Sequence, residues 1–422
     1  MRRLASLLSV LLTAVCSFAQ LSVVNTGGFV RINDNTIQGV DAVVLMNGID
    51  FSSQLLYTGS ESVEWVYKIG GVEYRSTQKD ISPEDAVLYT LNIVGKPTMY
   101  IYVIDYAAYP IVWQSLEVLP EQADECQTLQ LQATAVVPPL NYTDSKGVVR
   151  QLARSFTLSW TDVAWQTELW ADSLVAMPIT TLTAPITVNA PKCNATFVLS
   201  GDNWAEQLGI VPDSITAYYH AVRVECKMMG AVVEREYLNE KDRVSQTGEI
   251  EGSGPLQVEI NSNVNPLDVV YYEWMVYSVE TPDNYQRYSD VNFNYTFDKT
   301  GEYQVVLTAT SSVCEYSDSV FVKVIESFID VPNVFTPNGD GINDEWRVAY
   351  KSIEQYSCIV QNRWGRTVFK SDNPGKGWDG TIGGRPAAVG TYYYVILAYG
   401  TDKDINGKKM KYKLSGDINL LR

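Results

Sequence analysis

Tyr392-Tyr393-Tyr394-Val395-Ile396-Leu397-Ala398-Tyr399, then Asp404-Ile405-Asn406-Gly407, then Lys408-Lys409-Met410-Lys411-Tyr412-Lys413-Leu414 is the stretch that decides the fold class. Aromatic and aliphatic residues alternate through the first segment, as they do in strands. Asn-Gly supplies the two positive φ angles of a tight hairpin turn, so the chain is expected to double back. The return strand carries Lys408, Lys409, Lys411 and Lys413. Such a strand reads either as a guarded sheet edge or as a docking surface for a partner.

The same pattern recurs along the chain. Phe29 to Ile32, Ala42 to Met46, Val63 to Tyr67 and Met99 to Val103 mix alternation with short apolar runs, and Gly, Pro, Asn and Asp punctuate them. Residues 20–120 are therefore expected to form an immunoglobulin-like domain with Trp65 in its core. Residues 121–244 read as a second β domain with insertions, built on strands such as Ser155 to Trp160 and Tyr218 to Val224. Residues 245–327 carry Trp274 in one strand and the turn Thr300-Gly301 before Tyr303 in another. The whole is expected to be all-β: tandem immunoglobulin-like β-sandwich domains ending in a small β-sandwich over residues 328–422. A length of 422 residues suits three or four domains of about 100 residues each.

Met1-Arg2-Arg3, the apolar run Leu4 to Val15 and the small residues of Ser17-Phe18-Ala19 read as a secretory signal peptide, residues 1–19, cleaved after Ala19. Val15 before Cys16 does not suit a lipidation site. No later apolar run approaches the 18 residues a membrane-spanning helix needs. The formal net charge of −17 is uneven: residues 328–422 hold 13 Lys+Arg against 10 Asp+Glu, and residues 20–327 hold 17 against 39. An acidic body argues against nucleic acid as a partner. Five cysteines follow the leader without a Cys-x-x-Cys pair, so zinc and iron–sulfur ligation are not indicated; Cys193–Cys226 or Cys126–Cys193 are the suggested disulfides, with buried free thiols as the alternative.

Val331-Pro332-Asn333-Val334-Phe335-Thr336-Pro337-Asn338-Gly339-Asp340-Gly341-Ile342-Asn343-Asp344-Glu345-Trp346 is followed by Asn362-Arg363-Trp364-Gly365-Arg366, Trp378-Asp379-Gly380 and Gly390-Thr391-Tyr392, and the sequence ends at Leu420-Leu421-Arg422. This succession resembles the gliding-motility-associated C-terminal domain of Bacteroidota, the "type B" sorting signal read by the type IX secretion system. The resemblance implies that Phe335, Pro337, Asn338, Gly339, Asp340, Gly341, Asp344, Trp364, Gly365, Trp378, Asp379, Gly380, Gly390 and Tyr392 make up the sorting motif. It also implies the type IX translocon and an outer-membrane barrel as partners, and passage through the periplasm to the outer-membrane surface or the medium. Residues 245–327 resemble a PKD domain, a spacer or adhesion module of surface proteins.

Other residue patterns raise narrower expectations. Asn338, Asp340, Ile342 (through its carbonyl) and Asp344 are spaced so that a hard cation such as Ca²⁺ could be wrapped by their oxygens, with Asp379 approaching from elsewhere. The alternative is a turn whose Asn and Asp side chains bond their own backbone. Otherwise no cofactor is indicated. His220 is the only histidine, no glycine-rich phosphate loop follows a strand, and no enzyme activity is expected. Trp160, Trp165 and Trp170 recur at a spacing of five; on one extended strand the first and last would share a face, as core residues or as a sugar platform. Ser173, Ser214 and Ser319 each follow Asp and precede an aliphatic residue, the pattern of O-glycosylation in Bacteroidota. The expected role is structural, adhesive or related to gliding, with contacts to glycans or other cells. The alternatives are an accessory part of the secretion or gliding machinery retained in the envelope, and a carbohydrate-binding protein or hydrolase.

Overall fold

Alternation in Val87–Ile93 is strict, and every second side chain is buried. That strand lies in a six-stranded sheet ordered Phe29–Ile32, Ala42–Met46, Met99–Asp105, Val87–Ile93, Val63–Ile69, Val72–Ser76. The computed structural model describes residues 20–119, 124–233, 250–268, 270–403 and 407–422; the leader and the Asp404-Ile405-Asn406 part of the expected hairpin turn lie outside them. The chain divides into two compact units, Met1–Gln166 with Trp170–Ala221, and Thr167–Leu169 with Val222–Arg422. The fold is all-β, a series of sandwiches, as the alternation implied.

In the first unit a three-stranded sheet, Leu21–Val24, Gln54–Tyr57 and Asp80–Ile81, faces the six-stranded one. Trp65 is fully buried between them, edge-on to Tyr89 with centroids 6.5 Å apart. Ala42–Met46 behaves differently: all of its five side chains are buried. Its Ala42, Val44 and Met46 enter the sandwich core, while Val43 and Leu45 meet a second apolar layer of Leu140, Tyr142, Leu152, Trp204 and Leu208. A continuous apolar run is what a strand covered on both faces requires. The second domain of this unit is thus joined to the first through a shared core.

That second domain begins earlier than residue 121, because Val112–Val118 pairs with Thr128–Val136. Its other sheet is ordered Leu169–Ile179, Phe156–Gln166, Ala195–Gly201, Asp213–Tyr219. Only Phe156 to Ser159 pair with Ala195–Gly201. Phe156–Gln166 also pairs with Leu169–Ile179, and the turn between them places Thr167 and Glu168 at φ of 46° and 69°. Positive φ at both positions matches the twist of a two-residue hairpin. The three tryptophans therefore do not share one extended strand: Trp165 and Trp170 meet across the hairpin at 5.4 Å, and Trp160 is buried against Phe197. Among the charges, Arg154 and Asp202 form a buried pair.

In the second unit, Cys226–Val232 pairs with Leu256–Val264, which moves the start of the third sandwich from residue 245 to near 222. Its facing sheet is ordered Ile250–Ser253, Glu315–Ile325, Gly301–Thr310, Tyr271–Ser278, Thr281–Tyr288, and Trp274 is fully buried between the two. The final module has a five-stranded sheet ordered Val334–Phe335, Lys409–Leu420, Gly390–Lys403, Ile353–Gln361, Thr367–Ser371. It is tied to the third sandwich by polar contacts. Ser253 and Ser352 share a hydroxyl hydrogen bond, the Thr401 hydroxyl donates to the Gly254 carbonyl, and the Ser327 N–H donates to the buried Asp402 carboxylate at 2.9 Å.

Both suggested disulfides are corrected. Cys193, Cys226 and Cys358 are free thiols, which leaves neither pair standing. Connectivity depends on which strands are brought together, which spacing does not report. Burial pushes the Cys226 thiol up to about 12 and raises that of Cys358. Cys193 is raised by burial and by Asp162 and Asp172, but stays partly accessible. Since thiolate is the reactive form, a thiol reagent at pH 8 is expected to label Cys193 alone among these three in the native chain, and all three in urea. Native labelling of Cys226 or Cys358 on the same timescale would contradict the burial described.

Candidate functional site

The final module is built around two tryptophans that the motif spacing brings together. Trp346 N–H donates to the Trp378 carbonyl at 2.9 Å, and Trp378 N–H returns the bond at 3.0 Å. Their indole N–H groups donate to the carbonyls of Pro332 at 2.7 Å and Thr381 at 2.9 Å. Phe335 and Tyr392 close on the Trp378 ring at 5.4 and 4.8 Å, and Tyr394 lies against Trp346 at 5.5 Å. Phe335, Trp378 and Tyr392 are thus core residues of the module. Gly380 is required by the same packing. It holds φ of +71°, and a Cβ there would meet Pro337 Cγ at 2.8 Å.

The Asn338 to Asp344 loop is closed by its own side chains. The Asp344 carboxylate accepts from the N–H groups of Asn338 (3.0 Å), Gly339 (2.7 Å) and Gly341 (2.7 Å). Those bonds, the Gly339 one foremost, hold its pKa below the usual carboxylate range. Asp340 accepts from the Ile342 N–H at 2.8 Å and from the Asn338 amide at 2.9 Å, and the Asn338 side-chain oxygen accepts from the Asp340 N–H at 3.1 Å. Asp379 caps Thr381 at 2.9 Å. Among the described residues no three His, Cys, Asp or Glu side chains gather as a metal-holding group. The side chains of Asn338, Asp340 and Asp344 thus bond the loop's own backbone.

Other motif residues lie at the surface. Asn362 to Arg366 form the turn between two strands, with Gly365 at φ of +78° and the Asn362 side-chain oxygen accepting from the N–H groups of Trp364 and Arg366. Trp364 is 75 % exposed, with the Arg363 guanidinium stacked 4.2 Å from its ring centre. Gly390 opens the long central strand at φ of +145°.

Lys409, Lys411 and Lys413 project from the exposed face of Lys409–Leu420. That strand is flanked by Val334–Phe335 only over Asn419 and Leu420, so its lysine-rich half is a sheet edge. Lys409 pairs with Glu354, Lys411 lies 5.6 Å from the Tyr399 ring, and Lys408 is exposed. Sequence reasoning missed the outward row on the adjacent strand: Tyr393, Val395 and Leu397 are 50, 50 and 37 % exposed. Its signal was the unbroken apolar run of that strand, more than one buried face can use.

Elsewhere, Ser214 and Ser319 are exposed on strands, and Ser173 is half-buried on the sheet-edge strand Leu169–Ile179. The Ser319 hydroxyl accepts from Gln304 at 2.9 Å. His220 is exposed just past Asp213–Tyr219 rather than on a strand.

Residues 329–412 match the CHU_C type IX secretion signal domain. The chain is a type IX secretion cargo. Its sorting domain is the tryptophan-centred module just described, and the secretion machinery handles the chain through it, toward the cell surface or the extracellular space. No helix among the described residues is long and apolar enough to cross a membrane. Residues 117–217 match a fibronectin type III domain, which names the second β domain. No curated protein matches the chain. Among solved structures, the tetra-tandem repeat in the extending region of a large adhesion protein is 12 % identical, over 89 % of this chain and 98 % of that one, with a TM-score of 0.21. The FN1–FN3 domains of chicken CNTN1 are 11 % identical, over 74 % of this chain and 100 % of that one, with a TM-score of 0.24.

Proposed function

We propose that this cargo is a structural or adhesive component of the cell exterior, carried across the inner membrane by its leader and across the outer membrane through residues 328–422. The single observation that carries the reading is the sorting domain itself, attached to a series of β-sandwiches. Sandwiches of this kind present their surfaces and loops from a rigid scaffold, which suits spacing and contact. The role we assign is binding rather than catalysis, at glycans, other cells or the surrounding matrix. PKD-like character of the third sandwich, a link to gliding and an origin in Bacteroidota belong to the same proposal, as does an outer-membrane barrel as docking partner.

Deleting 328–422 is expected to leave the chain in the periplasm, with at least a tenfold loss of the form reached by protease on intact cells. Export of the truncated chain at wild-type level would end the reading.

We further infer that the Asn338 to Asp344 loop needs no cation. Three amide N–H groups already hold the Asp344 carboxylate in a closed turn, and two carboxylates are few for this ion. Millimolar calcium is expected to leave the melting temperature of the chain unchanged. A rise of several degrees, abolished in Asp344→Asn, would restore the cation reading.

A further inference from the structure

Gly390–Lys403 is the middle strand of the sorting domain's five, with Lys409–Leu420 on one side and Ile353–Gln361 on the other. Tyr392, Ile396 and Ala398 point into the core. Their neighbours Tyr393, Val395 and Leu397 point the other way and remain 50, 50 and 37 % exposed. A central strand that is apolar on both faces has the sequence of a strand covered on both faces. Ala42–Met46 has the same pattern in this chain, and a second apolar layer buries all of it. Over Tyr393, Val395 and Leu397 the described residues supply no such layer.

The borders of this face carry charge of one dominant sign. On one side Lys413 stands opposite Leu397 and Lys411 opposite Tyr399. On the other side Ile359 stands opposite Val395, and Lys370 opposite Ile359. Asp417, opposite Tyr393, is the acidic group at one end, and Glu354 is engaged with Lys409 at the other. An apolar centre with a charged border is the anatomy of a protein interface, and the border sets which partner is accepted. A second copy related by a two-fold axis along the strand would lay the Lys411 and Lys413 border over the Lys370 border and bring like charges together.

We propose that this outer face, Tyr393, Val395 and Leu397 between Lys411, Lys413 and Lys370, docks the sorting domain on a protein of the type IX machinery that presents an apolar patch bordered by carboxylates. The inference rests on the export reading above and specifies the surface through which the signal is read. The buried motif residues then build the domain, and the exposed face makes the contact.

The test uses the full chain in a host with a type IX system. Threonine at all three stripe positions (Tyr393→Thr, Val395→Thr, Leu397→Thr) keeps strand propensity while removing the apolar centre. This variant is expected to accumulate in the periplasm, with the surface-exposed fraction down at least tenfold and the melting temperature of the purified chain within a few degrees of wild type. Lys411→Glu with Lys413→Glu, at exposed positions that carry no core packing, is expected to give the same loss and keeps the test valid should the threonine variant fold poorly. Export of either folded variant at wild-type level, with the 328–422 deletion retained, would overturn the docking face and leave the export reading standing. So would a wild-type dimer in sedimentation, or wild-type binding to anionic phospholipid vesicles, that the threonine variant loses while its export is intact. Export of the deletion itself would instead overturn the reading on which the proposal rests.

Discussion

Trp378→Ala is expected to unfold the sorting domain's core, costing about 3–5 kcal/mol, the range for truncating a buried aromatic residue. The ring is fully buried, in contact with Phe335 and Tyr392, and its indole N–H is bonded to Thr381. Alanine would remove both ring contacts and leave a cavity that the backbone cannot collapse into, because Trp346 and Trp378 are held to each other by two main-chain bonds. A domain of this size has a total stability of about 5–15 kcal/mol, so the loss is a large share of it. Urea unfolding of the full chain, with proteolysis of the tail as the probe, measures it. Trp364→Ala is the control: that ring is mostly in water, and its loss is expected to stay within about 0.5 kcal/mol. If Trp378→Ala cost less than about 1 kcal/mol, the motif tryptophan would not be a core residue.

Asp202→Ala is the second large effect, about 3–5 kcal/mol in the first unit. The Asp202 side chain is fully buried. One of its oxygens accepts from Tyr106 at 2.7 Å and from the N–H groups of Trp204 and Ala205, and the other meets the Arg154 guanidinium. Arg154 is buried too, its Nη1 donating to the carbonyls of Tyr109 and Pro138. Removing the carboxylate strands a guanidinium in a dry environment and uncaps the helix Asn203–Gln207. The pair itself need not add much net stability, because desolvating two charges offsets most of their attraction. Asp202→Ser combined with Arg154→Met, which keeps a capping oxygen and leaves no charge behind, is therefore expected to cost clearly less than the sum of the single variants. Additive losses in that cycle would show that the two side chains are not coupled.

Legibility in the sequence followed the range of the interactions. Trp65 and Trp274 could be placed in cores because each sits in an alternating strand, and alternation is a property of neighbouring residues. The sorting domain could be recognised because its motifs keep their order along the chain. The roles within the motif could not be assigned. Phe335, Trp378 and Tyr392 read only as members of the motif and are packing residues; Trp364, in the same motif, is exposed. The three tryptophans from Trp160 to Trp170 were misplaced on one strand because Thr167 and Glu168 carry no glycine or proline to mark the turn between them. The third sandwich began earlier than expected because Cys226–Val232 is assigned by its partner, Leu256–Val264, and not by its own composition.

An all-β chain, an acidic body with a more basic tail and a type IX sorting signal were all legible without the structure. Each of these is written in local patterns: a period of two, the sum of charges, and short motifs in a fixed order. Folding in three dimensions settled which apolar strand is covered twice and which once, which cysteines stay free, and where the lysines stand relative to the apolar row. It also decided that Arg154 meets Asp202 across 48 positions and Ser253 meets Ser352 across 99. Such contacts are set by the closing of sheets and the stacking of domains. Burial depends on what arrives from elsewhere in the chain, and no local pattern records the arrival.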